Sequence, residues 1–324
     1  MEERKKDCIM KKNKNFIGKK AARFKKKIKS VGKEIYVKRE LYYLMAPYLV
    51  LFAVFTILPV IMSIVLSFTN FNMLELPDFV GWSNYKRLFI ADREFIIAIK
   101  NTLILALVTG PVSYILAFVI AWLINELPKK MRSIMTLVFY APSISGNAFL
   151  IWTIIFSGDV YGYANAYLME FGITSEAIQW LKDPQYILLI VIIVQLWMSL
   201  GVSFLAFIAG LQGVDKSLYE AGAIDGIKNR WQELWYITLP SMKPLLLFGA
   251  VMQITSSFAT CAVSIQLVGF PSVQYAGHTI VIHLMDYSGF RYEMGYASAI
   301  ATVLFLTTLG ANLIIQKLLR RVGS

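Results

Sequence analysis

Apolar and polar residues are segregated along this chain into long blocks. Six windows hold no Asp, Glu, Lys or Arg: Leu41 to Leu74, Asn101 to Asn125, Ser133 to Gly158, Pro184 to Val214, Pro244 to Met285, and Met294 to Gln316. Each clears the roughly 20 mostly apolar residues that a helix needs to cross a hydrocarbon core about 30 Å thick. The pattern predicts an all-α membrane protein with six transmembrane helices. The third window carries Ala141-Pro142-Ser143-Ile144-Ser145-Gly146-Asn147 near its middle. Proline removes a backbone donor and glycine weakens a helix, so a kink or break is expected there. The fifth window ends in Gly269, Pro271, Gly277, His278 and His283, which predicts one helix followed by an outer loop.

Composition agrees with a membrane protein. Only 16% of the 324 residues are charged, against about a quarter in a soluble globule. Sixteen of the 32 Lys and Arg precede Leu41. Basic residues accumulate on the cytoplasmic side of spans, so both termini are expected in the cytoplasm. Residues 1–40 then read as a basic cytoplasmic tail and residues 41–321 as the transmembrane domain. The tail supplies nearly all of the net charge of +12. A lysine-rich segment beside a first span touches anionic headgroups, so no nucleic-acid partner is needed to explain it. Cys8 lies in the tail and Cys261 in a span, which excludes a disulfide framework. His278 and His283 have no cysteine or carboxylate cluster beside them in sequence, and they read as loop histidines rather than metal ligands.

One polar island interrupts the apolar pattern. It runs over residues 212–243 and contains Glu220-Ala221-Gly222-Ala223-Ile224-Asp225-Gly226 and Ile237-Thr238-Leu239-Pro240. Asp215 can cap a short helix from Lys216 to Ile224. Gly226 suits the left-handed position that ends a helix. Asn229 and Gln232 resemble a capping pair for a second short helix. Ala221, Gly222 and Ala223 form a small-residue face that another surface can approach closely. A rigid helical plug of this kind can pass a rigid-body motion into the spans. An ordinary amphipathic inner loop is the alternative from the residues alone.

Glu220-Ala221-Gly222, then Gly226, then Ile237-Thr238-Leu239-Pro240 resembles the signature of permease subunits of type I ATP-binding-cassette (ABC) importers. Leu218-Tyr219-Glu220-Ala221 with Ile224-Asp225-Gly226 is similar to the carbohydrate branch, of the maltose and glycerol-phosphate permease type. Phe79-Val80-Gly81, Asp159-Val160-Tyr161-Gly162, Trp180-Leu181-Lys182-Asp183-Pro184 and Gly295-Tyr296-Ala297-Ser298-Ala299 agree with it. The resemblance covers residues 41–321. Gly222 stands where the family usually has a second Ala, which reads as a mild exchange of one small residue for another. The turn after span five is reduced to Gly269-Phe270-Pro271.

The resemblance implies a type I ABC importer permease fold in a bacterial cytoplasmic membrane. It also implies a second homologous permease subunit, two ATPase subunits and an extracytoplasmic solute-binding protein as partners. Glu220, Ala221, Gly222, Asp225 and Gly226 would couple to the ATPase, the segment 216–230 acting as the coupling helix. The chain has no Gly-x-x-x-x-Gly-Lys-Ser/Thr loop to hold a nucleotide. It is therefore expected to be a transport subunit without cofactor or metal, with ATP and Mg bound by the partners.

Span four carries Gln195, Ser199 and Ser203 at four-residue spacing, predicted to share one helix face. Span five carries Gln253, Ser257, Thr260 and Ser264 similarly, with Thr255 and Ser256 beside them. Neutral donors and acceptors suit an uncharged, hydroxyl-rich solute, and Trp197 offers a flat face to a sugar ring. The resemblance places Gln195, Ser199, Thr255 and Ser256 at sugar-contact positions and puts Val202 where an aromatic contact would stand. Gln195, Trp197, Ser199, Thr255 and Ser256 are the substrate-binding candidates. The same hydroxyls and amides also serve to join spans. Glycerol phosphate, a polyol or another small solute is the alternative cargo. The charge-free windows disfavour an ion-coupled carrier, and no span offers the paired carboxylates or metal-ligand cluster of an embedded enzyme.

Overall fold

The computed structural model describes residues 39–321. The expected basic tail, with Cys8, lies outside them apart from Arg39 and Glu40. The chain divides into two compact units, residues 1–62 and 63–324. The described part of the first is helical throughout and makes up most of helix α1 (Arg39–Leu66). None of its residues is buried.

The second unit is built of helices. Among the described residues there is no strand, and one isolated bridge joins Thr69 to Phe79. In chain order the principal helices are α2 (Arg93–Asn125), α3 (Lys129–Ile144), α4 (Leu150–Ile155), α5 (Tyr163–Glu170), α6 (Pro184–Met198) and α7 (Val202–Gly213). They are followed by α8 (Lys216–Ile224), α9 (Arg230–Glu233), α10 (Lys243–Phe258), α11 (Ala262–Val268), α12 (Ile280–Met285) and α13 (Met294–Arg321).

Among the described residues, five stretches are long and apolar enough to cross a membrane: Arg39–Leu66, Arg93–Asn125, Pro184–Gly213, Lys243–Val268 and Met294–Leu318. The sixth expected span is the one with Pro142 and Gly146. It divides into α3 and α4 where Ser145 takes an extended conformation, as its residues predicted. Two further breaks were not legible. Ser199-Leu200-Gly201 separates α6 from α7, and Ala259-Thr260-Cys261 separates α10 from α11. Broken helix ends inside a membrane need internal partners. Some are at hand: the Thr260 carbonyl accepts the Thr279 hydroxyl at 3.0 Å, and the Gly201 amide bonds the Ser199 carbonyl at 2.8 Å.

The centre of this unit is the packing of α2, α7 and α10. Ala117 and Ala121 of α2 meet Phe204 and Phe207 of α7, with Met242 just before α10. Two glycines let the backbones approach. A Cβ on Gly249 would lie 2.5 Å from Phe207 ring atoms, and one on Gly210 would lie 2.7 Å from Leu245 and Met242. Small residues at such contacts supply close van der Waals packing where the hydrophobic effect offers little.

Two outer loops are knotted by buried asparagines. Asn165, fully buried, donates to the carbonyls of Ser157, Asp159 and Ile178 and accepts from Trp180 Nε1 and the Ile178 amide. Asn101 donates from Nδ2 to the carbonyls of Tyr275, Ala276 and His278. Loops without regular hydrogen bonding can be buried only when side chains satisfy their backbone in this way.

Gly249→Val is expected to lower stability by about 1–3 kcal/mol, since the added carbons must displace the Phe207 ring. Thermal unfolding in detergent measures it. Gly289→Ala, where an added Cβ meets nothing within 4 Å, should leave the midpoint unchanged.

Candidate functional site

The island folds locally as its caps dictate. The Asp215 carboxylate accepts the Ser217 amide at 3.0 Å and starts α8. Those hydrogen bonds from Ser217 hold the Asp215 carboxyl below its usual range. α8 ends at Ile224, and Gly226 adopts φ +95° to turn the chain. Asn229 Oδ1 accepts the Gln232 amide at 2.9 Å, and Gln232 Oε1 accepts the Lys228 amide at 2.8 Å. Asn229 thus caps α9, while the Gln232 side chain reaches back one residue past it to Lys228. The Tyr219 hydroxyl lies 2.9 Å from Thr238 Oγ1, tying α8 to the returning chain.

Of the five coupling candidates, Glu220, Ala221, Asp225 and Gly226 are exposed and Gly222 is buried. A Cβ on Gly222 would lie 2.6 Å from Ile237 Cδ1 and 3.1 Å from Ile227 Cδ1. Both atoms are the free ends of flexible side chains, so an alanine here needs only a small shift of Ile237 and Ile227, in keeping with a mild exchange of one small residue for another. Ile224 is 87% exposed, an apolar side chain at the tip of a polar helix. It is the first residue of the Ile224-Asp225-Gly226 run that carries the family resemblance.

Lys216, Tyr219 and Glu220 line a cavity of about 610 Å³ between the island and the inner end of α2, where Trp122, Asn125 and Glu126 form the opposite wall. Arg132 of α3 donates to Asn125 Oδ1 at 2.9 Å. Arg230 reaches Glu126 at 3.1 Å and Glu233 at 2.7 Å.

The solute candidates divide between two elements. Gln195 and Trp197 sit on the last turn of α6, and Trp197 packs edge-on against Trp152 of α4, with centroids 5.6 Å apart. Ser199 caps α6 and donates to the Leu196 carbonyl at 2.6 Å. The break at Ser199–Gly201 means that Gln195, Ser199 and Ser203 do not share one continuous helix face, contrary to the expectation from their spacing. Ser203 is instead buried and donates to Gln253 Oε1 at 2.9 Å, joining α7 to α10. Thr255 and Ser256 are exposed on α10. Their hydroxyls bond the carbonyls of Val251 and Gln253, and Thr255 Oγ1 also accepts Asn312 Nδ2 of α13 at 3.5 Å. Gln253 and Ser257 face the protein interior.

The largest departure lies on the outer side. His278 and His283, read as loop histidines, are buried, and His283 belongs to helix α12. His283 Nε2 lies 3.0 Å from Asp92 Oδ2, and His283 Nδ1 lies 3.0 Å from His278 Nε2. The Tyr296 hydroxyl donates to the same Asp92 oxygen at 2.6 Å. Burial works to raise the Asp92 pKa but is outweighed by the hydrogen bonds from His283, Tyr296 and the Phe95 amide, which hold the carboxyl far below its usual range. With Asp92 ionised, the bonding pattern assigns the His283 proton to Nε2 and the His278 proton to its own Nε2. His278 Nδ1 is then a bare acceptor, buried without a partner. Burial and the neighbouring His283 push His278 down to about 4. No cluster of three or more metal-ligating side chains occurs among the described residues.

A chain of broken apolar helices with a capped island between two of them is the architecture of a membrane transport subunit. Residues 111–324 match the family described as binding-protein-dependent transport system inner membrane component, and the chain belongs to that family. The probable ABC transporter permease protein YesP of Bacillus subtilis (strain 168) is 33% identical over 269 residues, covering 82% of this chain and 85% of YesP. The arabinooligosaccharides transport system permease protein AraP of the same strain is 31% identical, covering 86% of this chain and 87% of its own. The lactose transport system permease protein LacF of Rhizobium radiobacter is 29% identical, covering 81% and 87%. In the crystal structure of a bacterial ABC transporter involved in the import of alginate, one chain superposes with a TM-score of 0.67 at 25% identity, covering 91% of this chain and 99% of that one. The fold is that of an ABC importer permease, and the protein is a multi-pass membrane protein.

The outer cluster gives stability a definite pH dependence. His278 has a folded pKa of about 4, below the roughly 6.5 of a free histidine. Between those values the unfolded chain binds the proton and the folded one does not. Stability is thus full above about pH 6.5 and declines as pH falls towards about 4. Asp92, depressed, adds its own loss at still lower pH. Thermal midpoints measured between about pH 7 and pH 4.5 should fall in the native protein and fall less in His278→Gln.

Proposed function

We infer that this chain is a membrane-spanning permease subunit of an ATP-driven importer of a sugar or oligosaccharide, working by alternating access in a bacterial cytoplasmic membrane. Residues 41–321 are its transmembrane domain and residues 1–40 its basic cytoplasmic tail. Two separate ATPase subunits hold the ATP and Mg and drive the chain through the coupling helix at 216–230. A second homologous permease completes the membrane part, and an extracytoplasmic binding protein delivers the solute.

One observation carries the reading. In a chain of this family, α8 stands between two spans as a rigid, doubly capped helix that offers Ile224, Asp225 and the exposed side of Glu220-Ala221 to a neighbour. ATP draws the ATPase pair together, α8 moves with them, and α7 and α10 carry the motion into the membrane, opening the subunit outward to the loaded binding protein. After hydrolysis the spans face inward and release the solute. The relatives AraP and LacF are named for arabinooligosaccharides and lactose, and the charge-free windows offer neutral hydroxyls and amides. Both favour an uncharged sugar. Gln195, Trp197, Ser199, Thr255 and Ser256 are its proposed contacts, with the Trp197 face against a ring and Gln195 to a hydroxyl.

The transporter isolated through a tag on this chain and placed in vesicles should take up radiolabelled lactose or arabinotriose only when ATP and binding protein are supplied. ATP-independent uptake would contradict the reading. Gly226→Val forces a β-branched residue to φ +95°, a strain of about 1–3 kcal/mol. It should reduce ATP-driven uptake while leaving membrane insertion intact; normal uptake by this variant would remove the coupling role. Gln195→Ala should raise the KM for the sugar without changing subunit composition on gel filtration.

A further inference from the structure

The island is joined by the backbone to α7 and α10, and through them to spans four and five. It has no backbone link to α2, yet α2 packs against both of those helices. Between the island and the inner end of α2 lies the cavity of about 610 Å³. Across that cavity the walls are not in direct contact. Two side-chain pairs cross the gap. Arg230 of α9 meets Glu126 at 3.1 Å, immediately after the last residue of α2. Trp231 of α9 packs on Trp122 of α2 with ring centroids 5.1 Å apart.

Resting on the reading of the island as the coupling element, we propose that Arg230 is a positioning residue that latches the island to α2, so that the two move together when the ATPase moves. Glu233, one turn along α9, holds the guanidinium at 2.7 Å and pre-aims it at Glu126. At the same α2 terminus, Arg132 holds Asn125, so α3 is tied to the same point. Asn125-Glu126 is the node where island, α2 and α3 meet. The Arg230 and Glu126 side chains are 64% and 42% exposed. A pair so open to water contributes little net energy, about 0.2–1 kcal/mol, and is screened by salt. Its value is geometric: it sets the distance between two elements that otherwise face each other across empty space. The Trp122–Trp231 contact keeps them close, and the ion pair fixes their register.

The test uses the assembled transporter in lipid nanodiscs, with Cys8 and Cys261 replaced by Ser and spin labels at Leu123→Cys on α2 and Lys228→Cys on the island. Electron spin resonance distances need no knowledge of the sugar. With Arg230 present, one distance should persist with and without ATP. In Arg230→Gln, the population outside that distance should rise by about 1.4- to 5-fold, the range that loss of an exposed pair allows. The swap Glu126→Arg with Arg230→Glu should restore the single distance, and added salt should broaden the native protein towards the Arg230→Gln pattern. A distance that already changes with ATP in the native protein, or one unaffected by Arg230→Gln, overturns the latch. Failure of ATP-driven uptake in the native transporter would instead overturn the coupling reading itself. If Arg230→Gln does not assemble, Arg230→Lys and the salt series decide the same question.

Discussion

The seat of Gly210 against Met242 and Leu245 is the constraint from which the rest follows. It brings the inner end of α7 directly against the approach to α10, so the island that connects them leaves and re-enters from one compact base. A side chain at Gly210 would have to turn aside the ends of Leu245 and Met242. Gly249 repeats the device further along α10, where the Phe207 ring rests on bare backbone. Phe207 also meets Tyr114 and Phe118 of α2 edge-on, so one ring locks three helices. Close-packed cores of this kind do not deform continuously.

Against that rigid centre, the breaks in the spans acquire a purpose. Each leaves backbone groups without helical partners, and polar side chains gather near two of them. Ser203 and Gln253 bond to each other close to the breaks in their respective helices. Thr279, from the outer loop, closes on the Thr260 carbonyl. On the outer side, Asp92 both caps α2 through the Phe95 amide and anchors His283 and Tyr296. A single carboxylate therefore joins the start of one span, the start of another and the helix between them. Low local dielectric strengthens such a network when all its members are satisfied. The bare Nδ1 of His278 is its one unsatisfied atom, and it makes the cluster sensitive to acid.

Much of the island was legible from sequence because its signals are short-range. Asp215, the helix to Ile224, the left-handed Gly226 and the Asn229–Gln232 pair all lie within a few residues of their partners, and each took the form its chemistry predicts. The break at Ser145–Gly146 was legible for the same reason. The breaks at Ser199–Gly201 and Ala259–Cys261 were not: neither contains proline, and at the second the Thr260 carbonyl is met by Thr279, a partner that the local pattern does not reveal. The histidines were misread because their partner is remote, with His283 and Asp92 separated by 191 positions.

The sequence by itself determined the environment and the local devices: apolar windows long enough for a bilayer, basic residues gathered before the first span, and caps that make α8 a rigid helix. Those follow from solvent and from bonds between near neighbours. Tertiary structure alone decided which polar residues join spans and which stay open, that an aspartate and two histidines form one buried chain, and that Arg230 reaches across a cavity to Glu126. Those contacts pair residues distant along the chain, and only the packing of α2, α7 and α10 brings them within hydrogen-bonding distance.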